Sequence, residues 1–190
     1  MDAALLTRFQ NWYLTNCNGD WEHSFGVKLY TVDNPGWFLE IDLAETCLDK
    51  LEYDLKIDNS EDDWFFIKVE EQTLKASGDP RKLTTILTIF LDEIIPKYAD
   101  PKFEYEVYVE LFGGPIKMWR EAKAKMVSED TLQITELPDL KSAELRFLEE
   151  PDCTIDEILK YETTTRLYEG SFTKVQLQVT WSGMTLIAKE

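Results

Sequence analysis

The sequence has 190 residues, and its hydrophobic content of 44% with 13% aromatic residues is sufficient for a packed core, which excludes a disordered acidic tail. Its 37 Asp and Glu residues outnumber 20 Lys and Arg residues, and the resulting net charge of −17 should repel nucleic acids and anionic membranes and attract a basic macromolecule or a cation. Both halves are acidic, with −10 over residues 1–98 and −7 over residues 99–190, although solubility alone would also explain such a charge.

The cysteines and the N-terminus indicate the compartment. Cys17, Cys47 and Cys153 form no Cys-x-x-Cys pair, and their odd number argues against a disulfide framework or a zinc site. Residues 1–6 lack the basic region and the long apolar run of a secretion signal, and no segment approaches the length of a membrane span. We therefore expect a soluble, reduced, cytoplasmic protein.

The first predicted elements are a helix and a β-hairpin. The helix is capped by Asp2 and ends near Asn16, because apolar residues recur at helical spacing: Leu5, Leu6, Phe9, Trp12 and Tyr13. Apolar and polar residues alternate over residues 25–32 and again over residues 37–43, on either side of the turn sequence Asp33-Asn34-Pro35-Gly36. This pattern predicts a hairpin.

Three more strands and a second helix complete the first half. The same alternation predicts strands at residues 52–57, 64–69 and 72–76. A helix over residues 80–95 follows, with Asp79 as its N-cap and Pro80 in its first turn. We expect Pro96 to end this helix, because proline removes a backbone donor and collides with the preceding turn.

The second half is predicted to be mostly β. Residues 103–111 alternate as a strand, whereas residues 116–127 fit both a helix and a strand. The turn sequence Ser128-Glu129-Asp130, followed by alternation over residues 132–137, favours a hairpin. Further strands are predicted at residues 143–147, 164–169, 173–181 and 184–188, the last two joined by a turn at Ser182-Gly183.

One short helix is predicted within this second half. Thr154 is followed three residues later by Glu157, the spacing of a capping box, which predicts a helix over residues 155–161. The fold class is therefore α+β. An antiparallel meander sheet flanked by two helices forms a domain over residues 1–98, and a mostly antiparallel β domain or extension with one short helix covers residues 99–190.

The stretch from Trp12 to Trp37 holds three of the six tryptophans, the single histidine and two turn signals. It resembles the immunity protein 53 family of bacterial polymorphic toxin systems over about residues 5–98, with Asn18 where the family more often has Asp. The matching positions are Trp12, Tyr13, Cys17, Gly19, Asp20, Trp21, Glu22, His23, Gly26, Asp33, Asn34, Pro35, Gly36 and Trp37. The resemblance implies a protein that binds a toxin domain and protects the cell that produces it.

Asp20, Glu22 and His23 lie close together after the first helix, and three interpretations stay open. They are a metal or acid–base site, a structural loop whose carboxylates accept backbone N–H groups, or a recognition loop in which carboxylates beside Trp21 enter a basic cleft. Catalysis here is disfavoured because the chain has no second histidine. Trp21 is the tryptophan that we most expect to be exposed.

The other tryptophans and the acidic strand also have predicted roles. Trp12 and Trp64 fall on the apolar phase of their elements and should be core residues, whereas Trp37 begins a strand where its N–H can reach a partner. Glu104, Glu106 and Glu110 share one face of the predicted strand, where like charges repel. A cationic partner would offset this cost, although a solvated face is the simpler interpretation.

The function predicted from sequence is an immunity protein, and not an enzyme, that occludes a cognate toxin with a basic cleft and needs no cofactor. The predicted partner-binding residues are Asp20, Trp21, Glu22, His23, Asp33, Trp37, Glu104, Glu106 and Glu110. The alternative is a small cation-dependent hydrolase or transferase that uses the cluster of Asp20, Glu22, His23 and Asp33. A ligand-binding domain with an aromatic pocket is a third, weaker possibility.

Overall fold

The computed structural model describes residues 3–128, 131–152, 154–180 and 183–189. The chain forms two compact units. The first comprises the chain up to Tyr13 together with His23–Phe103, and the second comprises Leu14–Glu22 together with the chain from Glu104. The predicted cap at Asp2 lies outside the described residues. None of the described helices is long and apolar enough to cross a membrane.

The first half of the chain contains five strands and a set of helices. The elements are α1 (Ala3–Asn16), α2 (Trp21–Ser24), β1 (Val27–Val32), β2 (Gly36–Asp42), β3 (Asp54–Ser60), β4 (Asp63–Glu70), β5 (Thr73–Gly78), α3 (Leu83–Thr88), a π-helical segment (Ile89–Ile94) and α4 (Ile95–Tyr98). The strands form one antiparallel sheet in the order β1-β2-β5-β4-β3. The α+β class and the antiparallel sheet are confirmed, but the predicted meander order was wrong, because β5 lies between β2 and β4.

Apolar side chains of the central strands give this sheet one buried face. Leu39, Ile67 and Ala76 lie side by side in neighbouring strands and are at most 1% exposed. They share a core with helical residues such as Trp12 and Phe90, whose rings contact edge to face at 5.0 Å. Burying a side chain of this size contributes about 1.5–3 kcal/mol. The predicted core position of Trp12 is thus confirmed.

The helix after β5 differs from its predicted range at both ends. It begins at Leu83 because the Asp79 carboxylate accepts the Arg81 backbone N–H at 2.8 Å and forms a turn before the helix. The expectation that Pro96 ends it was wrong, since the helical path continues to Tyr98. A π-helical segment precedes Pro96, which therefore lies in the first turn of α4, where no backbone donor is required.

The second half forms a six-stranded sheet. Its elements are β6 (Tyr105–Leu111), β7 (Met118–Ser128), β8 (Thr131–Glu136), β9 (Leu145–Phe147), α5 (Ile155–Ile158), β10 (Phe172–Thr180) and β11 (Gly183–Lys189). The order is β6-β11-β10-β8-β7-β9, and an additional pairing of β6 with β7 closes five of these strands into a ring. β11 runs parallel to β6, whereas the other pairs are antiparallel.

Most predictions for this half are confirmed. The ambiguous segment at residues 116–127 is a strand, and Thr154 and Glu157 form the predicted capping box. The strand predicted at residues 164–169 was wrong, because Thr165 Oγ1 bonds to both backbone groups of Leu167 and draws the chain into a local turn. The turn residues predicted at 129, 130 and 182 lie outside the described residues.

Candidate functional site

The loop after α1 is held by its own polar side chains. Asn18 Oδ1 accepts the backbone N–H groups of Asp20 and Trp21, at 3.0 and 2.9 Å, and so caps α2. Both carboxylate oxygens of Glu22 accept the Gly19 N–H at 3.1 Å. Gly19 adopts a φ of 104°, which favours glycine. Asn18 and Glu22 are therefore engaged in shaping the loop.

The expectation that Trp21 is exposed was wrong, since its side chain is 1% exposed. The sequence did not predict α2, a single helical turn that begins at Trp21 and buries this residue. A side chain this buried has no surface to offer a partner in the folded state. Asp20 and His23 in the same segment are exposed, and their role in partner binding stays a prediction.

The enzymatic alternative gains no support from this geometry. The Glu22 carboxylate accepts the Gly19 backbone N–H and so has a structural role in its own loop. In the chain segments that the structure describes, no three His, Cys, Asp or Glu side chains are grouped so that they could hold a metal ion.

Asp33 and Trp37 organise the β1–β2 turn and its surroundings. Asp33 Oδ1 accepts the Asn34 N–H at 2.9 Å, as expected of a turn residue. The Trp37 indole N–H donates to the Pro80 carbonyl at 3.0 Å, so the predicted hydrogen bond from this ring is present. Trp37 thereby links the turn to the loop that follows β5.

Glu104, Glu106 and Glu110 each have a partner in the second unit. Glu104 lies 3.8 Å from Lys125 Nζ, Glu110 lies 3.4 Å from Lys117 Nζ, and Glu106 accepts the Tyr108 hydroxyl at 2.9 Å. The charges of Glu104 and Glu110 are therefore partly balanced by lysines within the chain, whereas the partner of Glu106 is a neutral hydroxyl. Burial raises the pKa of Glu106, which the hydrogen bond from Tyr108 partly opposes.

A groove at one end of the five-stranded sheet was not predicted from sequence. Its volume is about 820 Å³, and it lies between the β1–β2 turn, the β3–β4 turn and Pro80. The residues that line it are Asn34, Pro35, Lys56, Ile57, Asp58, Ser60, Glu61, Asp62, Trp64, Phe65, Phe66 and Pro80. The aromatic side chains of this lining are buried or half-buried and its carboxylates are exposed, so we refer to them as the floor and the rim. We call this site the acid-rimmed groove.

Asp79 fixes the position of Trp64 within the acid-rimmed groove. The Asp79 carboxylate is 2% exposed and accepts the Trp64 N–H at 3.2 Å, while the Asp79 N–H donates to the Trp64 carbonyl at 3.1 Å. Gly78 permits this close approach, because a Cβ there would lie 2.8 Å from Phe65 Cβ and 2.7 Å from Lys82 Cβ. Both backbone groups of Trp64, its N–H and its carbonyl, are therefore bonded to Asp79.

The rim carboxylates differ in how well they are compensated. Asp58 lies 3.0 Å from Lys56 Nζ, and Asp63, next to the rim, is paired with Lys82. Glu61 and Asp62 are exposed and have no hydrogen-bond or ion-pair partner among residues 3–128, 131–152, 154–180 and 183–189. The negative charge that is available to a partner is concentrated at these two positions.

The prediction that Trp64 is a core residue was wrong, because it lies on the face of β4 that is opposite the core. Phe65 and Ile67 point into the core, whereas Trp64 and Phe66 share the opposite face with the exposed Lys68. The charge of Lys68 at the same alternation was the available signal that this face meets water. The groove itself depends on strand pairing between distant segments, which no local pattern encodes.

The comparisons with known proteins fall on this half of the chain. The family model of Immunity protein 53 matches residues 6–94, which confirms the resemblance predicted from sequence over a little less than half of the chain. No curated protein and no solved structure matches the chain. The matched segment contains every residue that lines the acid-rimmed groove.

The capping role of Asn18 is testable by substitution. We expect Asn18→Ala to lower the free energy of unfolding by about 0.5–2 kcal/mol, because two backbone donors lose their acceptor. Urea unfolding followed by tryptophan fluorescence measures the change. Asp20→Ala is the matched control, and an equal loss there would contradict a role specific to Asn18.

The raised pKa of Glu106 predicts a pH dependence of stability. The folded state binds the Glu106 proton more tightly than the unfolded chain does, so this group favours folding at low pH and loses that contribution as pH rises toward its folded-state pKa. We expect Glu106→Gln to remove this decline and to be more stable than the wild type at neutral pH. Unfolding curves from pH 4 to pH 8 test this, with the exposed Glu104→Gln as control.

Proposed function

We propose that this chain, whose residues 6–94 match Immunity protein 53, is an immunity protein that binds and occludes a cognate polymorphic toxin domain in the cytoplasm of the producing bacterium. The observation that carries the proposal is the acid-rimmed groove inside the matched segment. Such binding requires no cofactor and no catalysis by this chain.

The chemistry of the groove suits a basic partner. Aromatic residues such as Trp64 supply contact area at low conformational cost, and tryptophan is among the residues most often responsible for binding energy. The uncompensated Glu61 and Asp62 would attract the Lys and Arg residues of a cleft that normally binds an anionic substrate. The charge therefore speeds encounter, and the aromatic floor slows release.

The groove supports the proposal better than the residues predicted from sequence. Trp21 is buried, and Glu22 is engaged in its own loop. Among the described residues, Glu104 and Glu110 are close to lysines, so their charges are already partly neutralised. Asp33 belongs to the turn that borders the groove, and its predicted contact with a partner is retained in the proposal.

Removing the two free rim charges tests the electrostatic part of the proposal. The probe is the C-terminal toxin domain of the protein encoded next to this chain, with binding measured by surface plasmon resonance at several salt concentrations. We expect Glu61→Gln/Asp62→Asn to slow association about tenfold at low salt and less at high salt. Glu149→Gln/Glu150→Gln removes the same charge from exposed positions elsewhere and should have little effect.

Removing the aromatic floor tests the contact itself. We expect Trp64→Ala to weaken binding by about 2 kcal/mol or more, mainly through faster dissociation. Phe172→Ala, which truncates a side chain that is 64% exposed and outside the groove, is the control. A neighbouring toxin domain that does not bind, or one that binds both Trp64→Ala and the wild type equally, would contradict the proposal.

A further inference from the structure

The two edges of the five-stranded sheet are built differently. β3 forms one edge, and its outward-facing side chains include the charged residues Asp54, Lys56 and Asp58. Its pairing with β4 is also irregular between Asp58 and Ser60. Charges and bulges are the devices by which natural sheets prevent an edge from pairing with another chain.

β1 forms the other edge and has fewer of these protections, since its pairing with β2 is regular and Lys28 is its one charged residue. Residues 25–32 contain no carboxylate, although the chain has 37 Asp and Glu residues. The one charged side chain of β1, Lys28, lies 3.2 Å from Glu40 of the neighbouring strand. Leu29 and Tyr30 are each 46% exposed. This edge is therefore apolar, regular and close to neutral.

The hydrogen-bond phase shows which backbone groups of β1 point outward. The Asp42 N–H donates to the Gly26 carbonyl at 3.0 Å, so Gly26 and Asp42 are a hydrogen-bonded pair. The next pair along the two strands is Val27 opposite Ile41. Antiparallel pairs alternate between bonded and non-bonded positions, so the bonded pairs continue at every second residue, beginning with Lys28 and Glu40. The backbone N–H and C=O groups of Val27, Leu29 and Thr31 consequently face away from β2.

We propose that β1 is a self-association edge, where β1 of a second copy of this chain adds antiparallel about a two-fold axis to give one continuous ten-stranded sheet. A register centred on Leu29 pairs Leu29 with its symmetry mate and Val27 with Thr31. It continues the apolar row of Leu39 and Ala76 across the junction. It also places Lys28 opposite Tyr30 of the other copy, so that like charges do not meet.

Charge identifies the occupant as a second copy. A basic partner gains nothing at an edge without carboxylates, and it would encounter Lys28 there. A two-fold contact needs a surface that is complementary to itself, and a short, nearly neutral, apolar strand fulfils this condition. The partner of the acid-rimmed groove and the partner of β1 are therefore expected to differ.

A backbone substitution with a matched side-chain control tests the proposal. Thr31→Pro deletes an outward N–H and leaves the bonds between β1 and β2 intact, as proline does on the free side of an edge strand. Sedimentation velocity on the full chain from about 1 µM to about 500 µM should show wild-type dimers at the upper concentrations, with dimerisation weakened at least about tenfold in Thr31→Pro. Thr31→Ala should dimerise as the wild type does.

A second variant covers the case in which Thr31→Pro fails to fold, which circular dichroism would reveal. Leu29→Lys places a charge opposite its own symmetry mate at a side chain that is 46% exposed, so it should fold and remain monomeric. Amide exchange at Leu29 and Thr31 should slow as the wild-type concentration rises. Wild-type monomers at every concentration would overturn the proposal, as would dimers that persist in both variants or an equal loss in Thr31→Ala.

Salt separates this contact from toxin binding. Two copies that each carry a net charge of −17 repel one another, so added salt should strengthen the dimer. The attraction of the acid-rimmed groove for a basic partner should weaken under the same conditions. A dimer that weakens with salt would contradict a neutral strand-to-strand contact.

Discussion

The buried carboxylate of Asp79 is the interaction on which the described groove depends. At 2% exposure a carboxylate loses nearly all of its hydration, a cost that must be offset by donors in the protein. Two backbone N–H groups, those of Trp64 and Arg81, supply them, and Lys82 Nζ lies 3.9 Å away. The start of β4 and the loop around Pro80 are thereby fixed to each other, so the aromatic floor is held in position before any partner arrives. A preorganised surface loses less entropy on binding than one that must order itself.

The five-stranded sheet presents two kinds of unpaired surface, and their chemistry predicts different uses. At the acid-rimmed groove, we propose that side chains carry the recognition, because Trp64 provides area and Glu61 and Asp62 provide charge. At β1, the proposed recognition is by backbone groups, since the side chains of Leu29 and Tyr30 are apolar or aromatic and the strand is nearly neutral. Backbone pairing is tolerant of sequence and suits a copy of the same chain, whereas a charged, shaped groove discriminates between partners.

The sequence predicted the local elements well and the site poorly, for physical reasons. Hydrophobic alternation and turn residues are local signals, so the β1–β2 hairpin, the capping box at Thr154 and the strand at residues 116–127 were predicted correctly. The prediction that Pro96 ends the helix was wrong because a π-helical segment precedes it, and the proline lies in the first turn of α4. Trp21 was predicted to be exposed and is buried, whereas Trp64 was predicted to be a core residue and lines the groove. The face that a tryptophan occupies depends on tertiary pairing, which no single segment specifies.

The net charge was the least informative part of the sequence, because only uncompensated carboxylates can act on a partner. Glu104, which precedes β6, and Glu110, which lies on β6, are close to lysines, and a second cation would have to compete with these existing pairs. In the β3–β4 turn, Glu61 and Asp62 are exposed to solvent, so folding does not remove them from water. Their desolvation by a partner is unfavourable unless the partner supplies a cation at the same place. In the proposed complex, these two carboxylates contribute to selectivity by penalising partners without a matching cation, and the ring of Trp64 in the same groove contributes affinity.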